Sequence, residues 1–275
     1  MPVEAVTPID SNKRTAAGRV LALLGAFAEG GGALTLSEIS RHARLTLTTT
    51  HRLVHEVLEW GGLEVDAHGR YRLSRKFLDL ASSSTQGLSL REQALPHLVE
   101  LHRSSGLTVH LAARDDDSVV YLEALRAHPN YTGENRIGGR LRLHVAGTGL
   151  VMLAFARDAF VQEYLSAPLK RYTSRTLTDP AALCARLSEI RRQRYVVLEG
   201  HLAPRAGSVA APVFNPDGTV DTAVGVVYVT GQNDPGRYID MVVMAAARIT
   251  NTLAERDTRL DPRTIDFNRR HAGLS

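Results

Sequence analysis

Cysteine is nearly absent. Cys184 is the only one in 275 residues. A single thiol can close no intramolecular disulfide and build no thiolate zinc cluster, so the expected setting is a reducing cytoplasm. Long apolar runs are missing too. None reaches membrane-spanning length, so no membrane partner is expected. Residues 1–12 carry Pro, Glu and Asp and lack the apolar core of a signal peptide; they read as a disordered arm. A large excess of one charge is missing: the formal net charge is +4, although the pI is near 9.4. Nucleic acid is compatible with that balance, but clustering of the basic residues decides the matter. Internal repeats are also lacking. What is present is a 44% hydrophobic composition, typical of globular chains, over a length that suits two domains.

Residues 34–73 organise the rest. The spacing predicts two helices around a tight turn, then a β-hairpin. Ser37 is the expected N-cap of the first helix, and Ile39 and Ala43 form its apolar stripe. Leu45 lies in the turn. Thr46 or Thr48 caps the second helix, on which Thr50, Leu53, Val54, Val57 and Leu58 repeat at helical spacing. Gly61-Gly62 ends it. Leu63 and Val65, then Tyr71 and Leu73, alternate with charged residues around the turn 66–69. This order makes a winged helix-turn-helix.

Such a unit fits DNA. A recognition helix offers its N-terminal side chains to base edges in the major groove. The candidate DNA-contacting residues are Arg44, Thr46, Thr48, Thr49, Thr50, His51, Arg52 and His55 on and before the second helix, with Arg70 and Arg72 on the wing for phosphates.

Around this unit, residues 15–29 predict a first helix with Val20, Leu21, Leu23, Leu24 and Phe27 on its apolar side, ended by Gly30-Gly31-Gly32. The predicted domains are a DNA-binding unit over 13–75, a linker over 76–89 that contains Ser82-Ser83-Ser84-Thr85-Gln86-Gly87, an effector domain over 90–256, and a frayed tail over 257–275. Within the effector domain the pattern predicts a helix over 90–105. Strands follow over 108–113 and 119–125 with Asp115-Asp116-Asp117 as their turn, then a basic loop over 128–143 and a small-residue helix over 145–156. Helices over 158–166 and 179–194 come next, then strands over 195–198, 208–214 and 222–229, and a closing helix over 237–256. The last strand is β-branched enough to be central and buried. The fold class is therefore α+β: a winged helix-turn-helix joined by a helical linker, its helix beginning over 74–81, to a mostly antiparallel sheet flanked by helices. The segment Ala146-Gly147-Thr148-Gly149 lets either a ligand or another backbone approach closely.

Signals for other chemistry are thin. The three aspartates lack the glycine and terminal glutamate of a calcium loop. His51 and His55 have the i,i+4 spacing of a zinc pair but no acidic third ligand. Nothing activates Cys184 as a nucleophile, and a small buried hydrophobe is the plainer reading. No metal, cofactor or catalytic residue is expected.

The motifs Leu36-Ser37-Glu38-Ile39, Thr48-Thr49-Thr50-His51-Arg52-Leu53-Val54, Tyr71-Arg72-Leu73, Leu143-His144-Val145-Ala146-Gly147-Thr148-Gly149 and Ala210-Ala211-Pro212-Val213-Phe214 together resemble those of the IclR family of bacterial transcriptional regulators. The resemblance spans about residues 15–256. It implies an N-terminal winged helix-turn-helix and a C-terminal GAF-like domain that takes a small organic acid or aromatic metabolite. It also implies a homodimer, or a homotetramer built as a dimer of dimers, on palindromic promoter DNA. The implied effector-binding residues are Leu141, Leu143, Ala146, Gly147, Thr148, Met152, Glu199, Ser208, Gly225 and Val227. Two departures from the family pattern bear on this. Leu150 stands where a lysine is common. Gly225 and Val227 stand where members that bind small carboxylates have polar groups, leaving Glu199 and Ser208 polar. The expected effector is accordingly larger or less polar than a pyruvate-sized acid. A ligand-independent DNA binder, or an enzyme with an accessory nucleic-acid domain, are the alternatives.

Overall fold

The computed structural model describes residues 15–30, 32–82, 85–127 and 137–259, with only the backbone described at 29, 81, 82, 85–88 and 256–259. The expected N-terminal arm, most of the basic loop with Arg136, and the tail beyond 259 lie outside the described residues. Two units divide the chain, residues 1–88 and 89–275.

In the first unit, α1 (Ala16–Gly30) buries Leu23, Ala26 and Phe27. Leu21, expected on the apolar side, is 68% exposed. A two-residue strand that periodicity did not predict, β1 (Ala33–Leu34), follows. Next comes α2 (Leu36–Ala43), whose N-cap is Thr35 and not Ser37. The Glu38 N–H donates to Thr35 Oγ1 at 3.3 Å, and the Thr35 N–H donates back to the Glu38 carboxylate at 2.8 Å. This reciprocal pair satisfies two donors that a helix start otherwise leaves orphaned. The Thr35 N–H, and then its hydroxyl, hold the Glu38 carboxyl below its usual range.

Arg44 takes a left-handed φ of 52° to end α2, which turns the chain into α3 (Leu47–Glu59). The helix α3 buries Leu53, Val54 and Val57 against Ile39, Ala43 and Leu23, one contiguous core for the unit. Gly61, at φ +79°, breaks the helix. The wing is β2 (Leu63–Val65) and β3 (Tyr71–Leu73), and β3 also pairs with β1, giving the antiparallel order β1-β3-β2. Leu34 sits opposite Tyr71, so the wing is anchored at its base by a core residue.

The expected helical linker, 76–89, is helical where described: α4 (Lys76–Ser82) matches the helix expected over 74–81, and α5 (Thr85–Ser105) begins earlier than expected, within the polar stretch. Serine and threonine are poor but tolerated helix formers, so a polar composition alone does not exclude helix. The boundary between the units falls within α5, after Leu88.

The second unit is a six-stranded antiparallel sheet in the order β6-β5-β4-β9-β8-β7. Its strands are β4 (Thr108–Asp115), β5 (Ser118–Leu125), β6 (Arg140–Arg142), β7 (Val196–Glu199), β8 (Ala206–Val213) and β9 (Thr222–Val229). As the β-branched run implied, β9 is central. The strand β6 was expected as loop. It pairs with β5 and buries Leu141, and Arg140 and Arg142 ion-pair with Asp115 and Asp117 at the β4–β5 turn.

One face of the sheet carries α5 and α9 (Gly236–Arg259), with Leu98, Leu101, Val242, Ala246 and Ile249 buried on Val209, Val224 and Val226. The closing helix thus runs three residues past its expected end. The other face carries a 3-10 turn (Leu143–Val145), then α6 (Gly147–Phe155), α7 (Asp158–Ser166) and α8 (Pro180–Gln193). Residues Gly147 to Ala154 are all buried, so α6 is the inner layer between sheet and surface helices.

Candidate functional site

Two places hold the expected functional residues, one in each unit. In the first, Thr46 caps α3: its hydroxyl accepts the Thr49 N–H at 3.3 Å and donates to Thr49 Oγ1 at 2.9 Å. The Thr49 hydroxyl keeps its own hydrogen for an outside acceptor. Thr48, His51, Arg52 and His55 are exposed along α3, and Arg44 is exposed before it. The rings of His51 and His55 lie 4.6 Å apart. Thr50 is a correction. It is fully buried, and its hydroxyl donates to the Thr46 carbonyl at 2.9 Å, so it cannot touch DNA. Its place on the apolar stripe, not its hydroxyl, is what mattered.

Three arginines of this surface are held by carboxylates. Arg52 pairs with Glu56 one turn on, Arg70 with Glu38 at 3.3 Å, and Arg72 with Glu64 across the wing at 3.0 Å. Exposed pairs of this kind are worth about 0–1 kcal/mol. A bidentate contact to a guanine edge is worth about 1–3 kcal/mol. Pairs this weak can be given up for a stronger contact of that kind.

In the second unit, a cavity of about 50 Å³ opens between the sheet and the first turn of α6. Antiparallel partners share a face, and the register builds its floor from two rows. His110, Gly225 and Ala210 form one; Val227, Ser208 and Leu198 form the other. Ala146, Gly147 and Thr148 form the roof, with Tyr121, His201 and Leu202 at the sides. The roof comes so close that a Cβ on Gly147 would stand 2.6 Å from Ser208 Oγ; within the floor, one on Gly225 would stand 2.8 Å from the Val209 carbonyl oxygen of the neighbouring strand. The rings of His110 and Tyr121 lie 4.5 Å apart.

Of the expected effector residues, Ala146, Gly147, Thr148, Ser208, Gly225 and Val227 line this cavity. Four do not. Leu143 and Met152 are fully buried in the core under α6, and Leu141 is a buried β6 residue paired with Val119. Glu199 fails by parity: it pairs with Gly207, which pairs with Tyr228, so this row faces away from the cavity row of Leu198 and Ser208. The Tyr228 hydroxyl donates to Glu199 Oε1 at 3.0 Å, and burial, then that carboxylate, push the phenol's pKa up.

Sequence reasoning missed His110, Tyr121, Leu198, His201 and Leu202. Alternation along Thr108, His110 and Ala112 puts His110 on one face of its strand, a usable signal. Nothing local marks His201, which follows Gly200 in a turn at φ +72°.

The histidine of the 143–149 motif serves the core. His144 is fully buried. Its Nε2 lies 2.9 Å from the Lys170 carbonyl, which only accepts, so Nε2 carries the proton. Nδ1 then accepts from the Tyr164 hydroxyl at 2.7 Å, and that same hydroxyl oxygen receives the His144 N–H at 3.2 Å. Burial holds the imidazole below its ordinary pKa and pushes the Tyr164 phenol up to about 12.

These features agree with comparison to known proteins. Residues 82–251 match the model for the bacterial transcriptional regulator IclR C-terminal domain, and residues 16–67 that for the IclR helix-turn-helix domain. The chain is 28% identical over 219 residues to the Pca regulon regulatory protein of Pseudomonas putida, covering 79% of this chain and 75% of that one. It is 28% identical over 218 residues to the transcriptional regulator XynR of Escherichia coli, covering 78% and 86%. Among solved structures, an IclR homolog from Microbacterium hydrocarbonoxydans complexed with 4-hydroxybenzoate superposes with a TM-score of 0.81 at 33% identity, covering 87% of this chain and 99% of that one. With both family models matched over most of its length, the chain belongs to the IclR family of transcriptional regulators, an N-terminal helix-turn-helix joined to an IclR effector domain.

Proposed function

We propose that this protein is a ligand-responsive regulator that binds promoter DNA as a dimer or dimer of dimers, and that its effector is an aromatic acid held in the cavity under α6. The cavity is the observation that carries the reading. Ala146 provides no side-chain cap to α6, and the first turn holds no acidic residue. The N–H groups there have no side-chain cap and lie at the positive end of a helix dipole, an arrangement that suits a carboxylate. The rest of the wall includes the apolar Leu198, Leu202, Ala206 and Val227 and the rings of His110 and Tyr121. That suits a ring better than a pyruvate-sized acid. The 33% identical Microbacterium protein, with its 4-hydroxybenzoate, supports the same class.

Volume gives the mechanism. A cavity of roughly 150 Å³ holds benzene, three times the 50 Å³ available here. An aromatic guest must therefore push a wall aside. The segment between β7 and β8, with His201 and Leu202, is the wall free of helix or strand. A ligand that favours the displaced wall shifts the protein toward arrangements compatible with it. Coupling of about 1–3 kcal/mol to DNA affinity is enough for a useful response. In a dimer, two copies of α3 would address half-sites spaced near one helical turn, ~34 Å.

A gel shift on the DNA upstream of the protein's own gene, with and without a panel of aromatic acids and small keto acids, tests this. The expected result is a specific shift, altered by an aromatic acid and not by pyruvate. A shift indifferent to every metabolite, with no thermal stabilisation by any of them, would favour a ligand-independent binder. Tight pyruvate binding would refute the preference for a larger effector.

A further inference from the structure

His201 stands at the side of the cavity, on the turn after β7. Its Nδ1 lies 3.0 Å from the Glu199 carbonyl oxygen. A carbonyl can only accept, so Nδ1 carries the ring proton. In the neutral ring Nε2 is then a bare lone pair. That atom is buried, and no hydrogen-bond partner for it exists among the described residues. Burial holds the imidazole below its ordinary pKa, opposed by the bond to Glu199 and reinforced by Arg186 and Arg175. A buried acceptor left unmatched is costly, and an unpaired polar atom in a native protein calls for an explanation. Thr148 and Ser208 line the same cavity, yet among the described residues no group donates to this atom.

We infer that His201 Nε2 is the group that reads a hydroxyl on the effector, so that the regulator selects hydroxylated aromatic acids over their unhydroxylated counterparts. This rests on the effector reading of the cavity given above. The logic has two ends. A neutral imidazole whose Nδ1–H is already committed offers a lone pair and no hydrogen. It welcomes a phenol O–H and disfavours a carboxylate, which would put two lone pairs face to face. The carboxylate therefore goes to the uncapped turn of α6, and the hydroxyl goes to His201. A site built to accept from an O–H penalises the analogue that lacks it, because the acceptor is then buried unpaired.

The test is calorimetry on the full-length protein with 4-hydroxybenzoate, benzoate and phenol, alongside the side-chain nitrogen resonances of its histidines. The wild type should bind 4-hydroxybenzoate about ten- to a hundred-fold tighter than benzoate, and the His201 Nε2 resonance should move on adding 4-hydroxybenzoate but not benzoate. In His201→Phe the preference should fall to about twofold or less with benzoate affinity kept. His201→Asn, whose amide oxygen can accept, should recover part of it, and this second variant guards against misfolding of the first. Equal affinity for the two acids in the wild type, or a preference that survives His201→Phe, overturns the inference. If neither acid binds but phenol moves the Nε2 resonance, the carboxylate dock at α6 is wrong and the role of His201 stands. If none of the three probes moves that resonance, the inference is overturned.

Discussion

Two glycines make opposite predictions from one substitution. Gly149 is the third residue of α6, and alanine in a helix is worth about 0.8–1.0 kcal/mol over glycine. Against that gain stands Leu143. A Cβ on Gly149 would lie 2.7 Å from Leu143 Cα and 2.8 Å from its carbonyl carbon, and closer still to the oxygen. Carbon atoms settle at about 3.5–4.0 Å, so the 3-10 turn must retreat by roughly 1 Å. It is poorly placed to do so. Leu143 is fully buried, and the next residue, His144, is tied through its backbone and both ring nitrogens to Tyr164 and Lys170. Overpacking costs about 1–3 kcal/mol, and each buried bond broken on one side adds about 1–3 kcal/mol. Gly149→Ala should therefore destabilise the effector unit by a net of about 2–4 kcal/mol. Gly25 lies inside α1 with nothing within 4 Å of its would-be Cβ. Gly25→Ala should stabilise the first unit by about 0.5–1 kcal/mol. Denaturant titration reads both. Trp60 is the only tryptophan and belongs to the first unit, so its fluorescence follows Gly25→Ala. Far-UV circular dichroism follows the larger second unit. A Gly149→Ala protein as stable as the wild type would refute the idea that backbone proximity, not flexibility, requires that glycine.

Other expectations follow from single contacts. Thr35→Ala removes the cap of α2 and should cost the first unit about 1 kcal/mol by Trp60 fluorescence, whereas Ser37→Ala should cost little. In gel-shift titrations Arg52→Ala should weaken specific DNA binding by about 1–3 kcal/mol, while Arg72→Ala should weaken binding to all sequences and reduce the salt slope by about one. Stability should also fall on mild acidification. His144 is held neutral by burial in the folded state, so below the unfolded imidazole value of about 6.5 the unfolded chain takes up a proton that the native state refuses. The contribution of His144 is whole above pH ~6.5 and declines by up to about 1.4 kcal/mol per pH unit beneath it, until its lowered folded pKa is passed. The half-buried His201 adds a smaller effect of the same sign. Denaturation midpoints at pH 7.5, 6.5 and 5.5 check this, and a midpoint that rises toward pH 5.5 would contradict it.

How much of this could be read from the residues depends on how local the determining contact is. The helix α3 was legible because Leu53, Val54 and Val57 repeat within one element, and its burial follows from that repeat alone. The cap of α2 was legible in principle. Thr35-Leu36-Ser37-Glu38 has the spacing in which a glutamate reaches back to its cap, and choosing Ser37 ignored that reach. The strand β6 was not legible, because its ladder is made with β5 about twenty residues earlier, and its arginines reach aspartates about 25 residues earlier. The cavity divides along the same line. Gly147 and Thr148 were found from a small-residue segment. Yet that segment left open whether a ligand or a backbone comes close, and the answer is different at each glycine. Gly147 faces Ser208 at the cavity, and Gly149 faces Leu143 in the core. Glu199 was misplaced because a strand residue's face depends on its partner, and Gly207 and Tyr228 assign Glu199 to the opposite side from Leu198. His110 and His201 meet at one cavity although about ninety residues separate them, since β9 is inserted between β4 and β8. Alternation can assign His110 a face but not a partner across the sheet, and a turn residue such as His201 has no alternation at all, so the histidine on which effector choice is proposed to turn is the residue that periodicity was least able to find.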